Sequence, residues 1–444
     1  MAVSMADWSG RKLHFVGIGG AGMSGLALIA RTLGAEVTGS DRVDTPYMAP
    51  LRELGIEPRI GYAAGNVPTG AEVVYSSAAL SDNPERRPGE LHRSQLLAQL
   101  AALKRCIAVA GTHGKTTTTS MIVHTLRGCG LDPAYVIGGT LRTTGLNAAW
   151  GSGEWIVIEA DESDRSLLNY QPEIAVLTNA ELDHHATYAS RLDIDQTFAE
   201  FTGRARYAVV WDRPELLAVA AGAQTTVPYD AVKPVLTPVG ARLRWHDLDV
   251  LLAVPGLHNA VNAAGALTAC ALAGADPAAA VRAIAGFAGA GRRLERLGET
   301  ANGALLYDDY AHHPTEVAAA IAAAHTLGAQ RLVAVFQPHL FSRTQALARE
   351  FGVALAAADL CAVLDIYPAR ESAKDFPGVD GRLVAVAAAD AGGGREVAWT
   401  PTADDAREWL RATLRPGDLC LLMGAGNIDA LGRSLVAGGE FGTY

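Results

Sequence analysis

The segment "AVAGTHGKTTTT", residues 108–119, decides which fold this chain can adopt. It begins as an apolar run, passes through a glycine loop that contains a lysine, and continues into "SMIVHTLRGCG", residues 120–130, whose spacing is typical of a helix. A strand, a glycine loop and a helix in this order form a cradle for phosphate, because the free N–H groups at the helix N-terminus face the anion. We therefore predict a mostly parallel sheet of the P-loop ATPase type around this segment.

The loop departs from the common pattern G-x-x-x-x-G-K-[ST], because Val109 stands where the first glycine belongs. The chemistry of the pattern is still present, since Lys115 can neutralise phosphate charge and the Thr116 hydroxyl can bind Mg²⁺. The residues predicted to surround the phosphates are Gly111, Thr112, His113, Gly114, Lys115, Thr116 and Thr117.

A second glycine loop, "HFVGIGGAGMSG", stands earlier in the chain at residues 14–25. Its glycines satisfy G-x-G-x-x-G from Gly17 to Gly22, and Asp41 follows about 20 residues later, where the dinucleotide fingerprint places an acidic residue on a ribose. Alone, the pattern indicates a diphosphate next to a ribose, as in a nicotinamide-dependent dehydrogenase, or a tight turn without a ligand. Two cradles imply two phosphorylated ligands, which weakens the dehydrogenase interpretation.

Strand-like and helix-like segments alternate along the whole chain and predict an α/β protein of three domains. We predict a Rossmann-like N-terminal domain over residues 1–106, a central P-loop-type domain over 107–295, and a Rossmann-like C-terminal domain over 296–444. The segment "GAGRRLERLGE", residues 289–299, is predicted to be the linker about which the last domain closes.

Composition excludes several classes of protein. The formal charge of −10 disfavours a general nucleic-acid binder, which needs a basic surface. No apolar stretch reaches the roughly 18 residues of a membrane span, and the first residues, "MAVSMADWSGRK", lack the apolar region of a signal peptide. We therefore expect a cytoplasmic monomer or homodimer with no membrane and no nucleic-acid partner.

Motifs along the whole chain resemble those of the Mur ligases, the ATP-dependent ligases that join amino acids to peptidoglycan precursors. Besides the two loops they include, in family order, "VTGSD", "EADESD", "TNAELDHHATY", "GLHNAVNAA", "DDYAHHPTE", "FQPHLFSRT" and "GAGNI". The chain is most similar to the alanine-adding branch, which manages without the carbamylated lysine of its sister branches. No lysine follows "DHHATY" at the usual place here.

The resemblance implies that the carboxylate of UDP-N-acetylmuramate attacks the γ-phosphate of ATP, and that L-alanine then attacks the resulting acyl phosphate. The first loop would bind the diphosphate of the UDP-sugar instead of a dinucleotide, and the second loop would bind ATP. The positions that match the family's UDP-sugar site are Gly19, Gly20, Ala21, Gly22, Met23, Ser24, Asp41 and Ser76.

The resemblance also implies a site for Mg²⁺ or Mn²⁺. Thr116, Glu159 and His184 match the family's metal ligands, and hard cations prefer oxygen donors with an occasional imidazole. A carboxylate of "EADESD", residues 159–164, could instead be a solvated helix cap, above all Asp161, Glu162 or Asp164. His185 is expected to be a neighbour of the metal and not a ligand.

The remaining site residues are predicted on the same basis. Asn259 and Asn262 can read adenine, although Asn259 could also cap its helix. Arg292 or Arg293 can bring a cation to ATP on domain closure, or can form an interdomain salt bridge. The predicted catalytic residues are Lys115, His184, Asp309 and His312, and those predicted to bind the incoming amino acid are His339 and Arg343.

Other activities stay open at this point. The murein-tripeptide recycling ligase shares the ATP loop, and a Mur-type ligase could prefer glycine or serine, since one methyl group discriminates by only about 1–3 kcal/mol. Folylpolyglutamate synthetase also shares the loop style, but that family begins near its ATP loop. A nucleotide-sensing binder that has lost catalysis would bind ATP and release no phosphate.

Overall fold

The computed structural model describes residues 8–184 and 187–436. The elements of its N-terminal domain are strands β1 (Lys12–Val16), β2 (Glu36–Asp41), β3 (Arg59–Ile60), β4 (Glu72–Tyr75) and β5 (Leu91–His92), with helices α1 (Ala21–Thr32), α2 (Ala49–Glu53) and α3 (Arg93–Ala101). The strands form one parallel sheet of order β3-β2-β1-β4-β5. The central strand β1 is buried after its first residue, as an apolar run covered by helices on both faces should be.

The central domain is built on a seven-stranded sheet of order β12-β11-β10-β6-β9-β7-β8. Its strands are β6 (Arg105–Ala110), β7 (Ala134–Leu141), β8 (Leu146–Ala149), β9 (Trp155–Glu159), β10 (Ile174–Leu177), β11 (Tyr207–Trp211) and β12 (Thr225–Tyr229). Its helices are α4 (Lys115–Gly128), α5 (Arg191–Gly203), α6 (Pro214–Val219), α7 (Leu257–Leu272) and α8 (Pro277–Ile284). Only β8, at the edge, is antiparallel to its neighbour, so the sheet is mostly parallel as predicted.

A small antiparallel sheet of the central domain was not predicted. It consists of β13 (Val232–Thr237), β14 (Gly240–Trp245) and β15 (Leu248–Leu252). Its inner face packs on α7, and the Trp245 indole N–H donates a hydrogen bond to the Thr268 hydroxyl at 3.0 Å. This sheet covers one side of the ATP-loop domain and contributes no residue to the predicted site.

The C-terminal domain has a six-stranded sheet of order β16-β17-β21-β18-β19-β20, in which only β16 is antiparallel to its neighbour. Its strands are β16 (Glu295–Glu299), β17 (Leu305–Asp309), β18 (Arg331–Phe336), β19 (Leu360–Val363), β20 (Val397–Trp399) and β21 (Asp418–Met423). Its helices are α9 (Pro314–His325), α10 (Phe341–Leu355), α11 (Arg382–Ala391), α12 (Ala403–Thr413) and α13 (Ile428–Leu435).

The sheets change close to the boundaries predicted near residues 106 and 296. β6 begins at Arg105 in the second sheet, and β16 begins at Glu295 in the last one. In the central sheet, β10, β6 and β9 are parallel neighbours, so their carboxyl ends meet at one edge. That edge is where open α/β sheets bind ligands. Within the described part of the chain, no helix has the length and apolar character that a membrane crossing requires.

Candidate active site

The loop between β1 and α1 is braced by the side chain predicted to bind a ribose. The Gly19 N–H donates to the Asp41 carboxylate at 2.9 Å, and the Thr45 hydroxyl donates to the Gly19 carbonyl at 2.8 Å. A Cβ at Gly19 would lie 2.6 Å from the Met48 methyl carbon, so any other residue there would force the Met48 side chain to move. Asp41 therefore shapes the loop itself, and its contact with a ribose stays a prediction.

Helix α1 also joins the N-terminal domain to the central one. The Asn147 amide, on β8, donates to the Ser24 hydroxyl at 2.9 Å, and a Cβ at Gly25 would lie 2.9 Å from the Ala148 Cβ. Met23 is buried in the core. The side chains of Met23 and Ser24 thus point into the protein interior. If these two residues contact the UDP-sugar as predicted, they must do so through their main-chain atoms. Gly20 precedes α1, Ala21 and Gly22 begin it, and Ser76 follows β4.

The ATP loop between β6 and α4 is held by the segment that follows β10. The Thr178 hydroxyl donates to the His113 carbonyl at 2.5 Å, and the His113 N–H donates to the Asn179 side chain at 2.8 Å. Gly114 has φ +78°, which a side chain rarely adopts, and it leads directly into α4. The loop is thus anchored by protein contacts on its side chains and main chain.

Lys115 is folded back onto its own loop and onto a buried carboxylate. Its ammonium donates to the Gly111 carbonyl at 2.6 Å and lies 2.8 Å from Glu162. Burial alone would lower the pKa of Lys115, but the carboxylates of Glu162 and Asp161 outweigh it and raise that pKa. Lys115 therefore carries a full positive charge at neutral pH, held against the loop that is predicted to bind the phosphates.

The acidic run after β9 is not a solvated helix cap. Glu162 is 0% exposed and contacts both Lys115 and the His184 imidazole, at 3.3 Å. Asp161 pairs with Arg93 of the N-terminal domain at 2.6 Å. Asp164 accepts a hydrogen bond from the Ser77 hydroxyl, also of the N-terminal domain, at 2.6 Å. These carboxylates bind partners from other elements, which contradicts the capping alternative for them.

Two of the predicted metal ligands meet at the loop. The Thr116 hydroxyl donates to the Glu159 carboxylate at 3.0 Å, and the other carboxylate oxygen accepts the Gly138 N–H at 2.8 Å. His184 has φ +55°, and its Nδ1 is buried without a hydrogen-bond partner among the described residues. The hydroxyl and carboxylate oxygens suit a hard divalent cation, which also accepts an occasional imidazole nitrogen, and the contact of His184 with the other two ligands stays a prediction. His185 lies outside the described residues.

The two asparagines of α7 differ in their surroundings. The Asn259 amide donates to the Pro255 carbonyl at 2.7 Å, and Gly256 holds the N-cap position that Asn259 was alternatively expected to take. Asn262 lies against the ATP loop, since a Cβ at Gly114 would be 2.8 Å from its side-chain oxygen. Asn262 is therefore the amide that stands next to the predicted phosphate site.

Asp309 and His312 stand at the end of β17 and directly after it. The Asp309 carboxylate accepts the N–H groups of Leu294 and Ala311 at 2.7 and 2.8 Å, and burial raises its pKa to about 6. Burial likewise lowers the pKa of His312 to about 4, and its Nδ1 lies 2.9 Å from the Tyr310 carbonyl. The neutral ring therefore donates from Nδ1, which leaves Nε2 as an acceptor.

Arg292 is engaged within the C-terminal domain. Its guanidinium donates to Asp308 at 2.9 Å and to the Gly424 carbonyl at 2.8 Å. These contacts match the salt-bridge alternative, because Arg292 stands in the linker and Asp308 on β17 of the C-terminal domain. Contact of Arg292 with ATP stays a prediction. The neighbouring Arg293 forms a looser ion pair, 3.8 Å from Glu316, and lies over the Tyr310 ring at 5.3 Å from its centroid.

The residues predicted to bind the amino acid lie at the interface between the central and C-terminal domains. The Arg343 guanidinium, at the start of α10, donates to both oxygens of Asp183 at 3.0 and 3.1 Å. Its remaining arm lies 3.2 Å from Nδ1 of His339, whose pKa burial lowers to about 3. The structure thus brings Arg343 and His339 together, and adds Asp183 as their partner.

Family models cover the chain in three consecutive stretches. The Mur ligase catalytic domain matches residues 12–105, the Mur ligase middle domain matches 109–270, and the Mur ligase glutamate ligase domain matches 292–426. The chain belongs to the Mur ligase family. The resemblance inferred from the motifs is thereby confirmed.

Individual Mur ligases match this one over nearly their full length. The UDP-N-acetylmuramate–L-alanine ligase of Streptomyces coelicolor is 46% identical, covering 94% of this chain and 96% of its own. That of Thermobifida fusca is 42% identical, with 96% of each chain covered. Among solved structures, the UDP-N-acetylmuramate–alanine ligase of Thermotoga maritima matches with TM-score 0.82 and 27% identity, over 96% of this chain and 98% of that one. This match confirms the three-domain α/β fold.

The murein peptide ligase of Psychrobacter arcticus shares the fold with TM-score 0.70 at 24% identity, over 96% of this chain and 98% of that one.

Sequence reasoning missed two residues of this Mur ligase that the geometry places in the site, Glu162 and Asp183. Both stand beside predicted residues in acidic motifs, and that position was the one signal available for them.

Proposed function

We propose that this Mur ligase joins L-alanine to the carboxylate of UDP-N-acetylmuramate and converts ATP to ADP and phosphate. One observation carries the proposal: an ATP loop whose lysine and threonine each meet a carboxylate, Lys115 the buried Glu162 and Thr116 the partly exposed Glu159, beside the C-terminal domain. The full-length similarity to ligases of that name supports the choice of substrates. The substrates are soluble, and we propose that the reaction takes place in the cytoplasm. The monomer or homodimer stays a prediction.

The proposed reaction needs charge neutralisation and alignment more than a protein nucleophile. The muramyl carboxylate attacks the γ-phosphate, ADP leaves, and the alanine amine then displaces phosphate from the acyl carbon. The Lys115 ammonium now donates to the Gly111 and Thr112 carbonyls of the loop. On ATP binding it would give up these two hydrogen bonds and donate to phosphate oxygens instead. His312 offers an unprotonated Nε2 that can take a proton from the alanine ammonium group, which frees the amine that then attacks the acyl carbon.

Thr116, Glu159 and His184 would hold the Mg²⁺ or Mn²⁺ ion. When bound, the cation neutralises charge on the transferring phosphate and orients it. The three protein groups contribute a hydroxyl, a carboxylate already fixed by the Gly138 N–H, and an imidazole whose Nδ1 has no other partner among the residues described.

Replacing Glu159 by glutamine should raise the Mg²⁺ concentration needed for half-maximal activity by at least about tenfold, because the amide lacks the charge that binds the cation. The measurement is phosphate release against Mg²⁺ at saturating substrates. Glu299→Gln, at an exposed position of β16, is the matched control and should leave the curve unchanged. An unaltered Mg²⁺ requirement in Glu159→Gln would remove Glu159 from the metal site.

The substrate assignment is tested by phosphate release with UDP-N-acetylmuramate, ATP and Mg²⁺ against a panel of amino acids. L-alanine should give the highest kcat/KM, and glycine should fall behind by about 10- to 200-fold, since it lacks one methyl group. Free alanine should also be preferred to the murein tripeptide. Turnover with the tripeptide alone would replace the proposal by the recycling activity, and no turnover with any amine would indicate a nucleotide binder.

A further inference from the structure

The side chain of His113 points out of the ATP loop and towards the C-terminal domain. Its Nε2 lies 3.4 Å from a Glu181 carboxylate oxygen, and its Nδ1 lies 3.3 Å from a carboxylate oxygen of Glu316. Its ring packs against that of His313, with 4.5 Å between centroids and 38° between the ring planes. Glu181 belongs to the central domain, whereas His313 and Glu316 stand at the start of α9 in the C-terminal domain. One histidine of the phosphate loop therefore faces both domains.

Both nitrogens of His113 face carboxylate oxygens, so only the doubly protonated ring can donate to both. Burial by itself would lower its pKa, but Glu181 and Glu316 outweigh burial and raise that pKa to about 9. The neighbouring His313 ring is neutral, because its Nδ1 accepts the Thr315 N–H at 3.4 Å and burial lowers its pKa to about 4. Of the two rings, His113 therefore carries the positive charge.

The other titratable and charged groups near this contact surround Glu316. His312 and Arg293 lie 3.3 and 3.8 Å from its carboxylate, and His258 is a more distant neighbour. A further interdomain bond runs parallel to the His113 contact: the Thr315 hydroxyl donates to Glu181 at 2.7 Å. Glu181 and Glu316 are thus two fixed acceptors, one on each side of the domain junction.

We propose that His113 is a positioning residue, which in its imidazolium form ties the ATP loop to the closed C-terminal domain through Glu181 and Glu316. The proposal rests on the proposed ligase function. Glu181 holds Nε2 within the central domain, and Glu316 reaches Nδ1 when the C-terminal domain lies against the loop. The Asn179 contact to the His113 N–H transmits that constraint to the loop backbone. The loop is then fixed for phosphoryl transfer in the closed arrangement.

The charge of His113 is measurable without substrates. In NMR titrations of ring-labelled histidines, the signal lost in His113→Gln should titrate near pH 9 in the wild type and move towards the ordinary value of 6.5 in Glu316→Gln. The titration should not respond to EDTA, although His113, Glu181 and His313 are close enough to hold a metal ion. A wild-type midpoint near 6.5, or one that EDTA shifts, would overturn the proposal.

Kinetics test the positioning role. His113→Gln and Glu316→Gln should each lower kcat by about 10- to 100-fold, as small misplacements of reacting groups do, with KM for the UDP-sugar unchanged. The double variant should be no slower than the slower single one, since both remove the same contact. His325→Gln, the same change at the far end of α9, should have no effect. Multiplicative losses, or a single variant as fast as the wild type, would contradict the contact.

The pH dependence of kcat provides a separate test of the His113 contact. A pKa raised from 6.5 to about 9 means that the contact is fully present below pH 6.5 and is lost as the pH rises through 9. The ratio of wild-type kcat to that of His113→Gln should therefore fall towards one above pH 9, and a constant ratio would argue against the imidazolium. If the wild type released no phosphate at all, the proposed function would fail, while the NMR titration would still decide on the contact.

Discussion

Lys115→Ala should abolish turnover, lowering the rate of phosphate release by about 10³-fold or more, because a preorganised cation at the transferring phosphate is lost. Binding of UDP-N-acetylmuramate should be unchanged, since its predicted loop at Gly17 to Gly22 lies in the N-terminal domain. Lys115 stays charged over the whole working range, because its raised pKa lies above the ordinary 10.5. The loss should therefore be independent of pH below 10.5. Phosphate release and isothermal calorimetry with the UDP-sugar measure the two quantities.

The variant has a second consequence that must be separated from catalysis. Removing Lys115 leaves Glu162 buried, with His184 as its remaining ion-pair partner among the described residues, and breaking such a pair costs about 3–5 kcal/mol of stability. The double variant Lys115→Ala/Glu162→Gln should recover most of the lost thermal stability and none of the turnover. Lys374→Ala, at an exposed lysine of the C-terminal domain, is the control for both measurements.

Two results would contradict this assignment. If Lys115→Ala/Glu162→Gln regained turnover together with stability, Lys115 would serve the fold and not the phosphates. If Lys115→Ala lost the UDP-sugar, the two glycine loops would not be separate binding sites. The division of the two nucleotides between two domains depends on that second measurement.

Local signals were sufficient for the parts of the fold that hold the loops. Glycines at the end of apolar strands predicted both loops. Glu159 was predicted from the resemblance, and in the fold it lies near Thr116 because β9 and β6 are parallel neighbours that end at the same edge. The antiparallel sheet of β13, β14 and β15 was missed, although β14 and β15 alternate between buried and exposed residues. That period-two pattern was the available signal, and the alternation of strands and helices elsewhere masked it.

Burial of charged partners could not be predicted. Glu162 is buried because Lys115 and His184 approach it, and Asp183 is buried because Arg343 reaches it from 160 residues away in sequence. Acidic motifs look alike in a sequence whether they are solvated or paired.

Adjacent residues posed a similar problem. "GAGRRLE" does not distinguish Arg292 from Arg293, whereas in the fold Arg292 has φ +56° and binds Asp308. Such choices depend on long-range contacts that local spacing does not encode.

Arg343→Ala should lower kcat/KM for L-alanine by about 10²–10³-fold, since truncating a buried, hydrogen-bonded charge costs roughly 2–5 kcal/mol. The resemblance predicts that the Arg343 guanidinium binds the carboxylate of the amino acid. In the structure this guanidinium already donates to both oxygens of the Asp183 carboxylate. The adjoining cavity has a volume of about 10 Å³, enough for no more than one water molecule. Its lining consists of Asp183, His184, Leu340, Ser342, Arg343, Arg370 and Glu371. Alanine can enter only if Arg343 and Asp183 separate.

This competition predicts an asymmetry between the two partners. Asp183→Asn should leave the Arg343 cation free for alanine, so that KM for L-alanine falls or stays constant, whereas Arg343→Ala should raise it. Arg343→Lys should give an intermediate value, because lysine keeps the charge but cannot grip a carboxylate with two parallel bonds. Arg349→Ala, at an exposed arginine on the same helix, is the matched control. If instead the pair served only to hold the domains together, Asp183→Asn and Arg343→Ala would damage kcat equally and leave the alanine KM alone, since each removes the same contact.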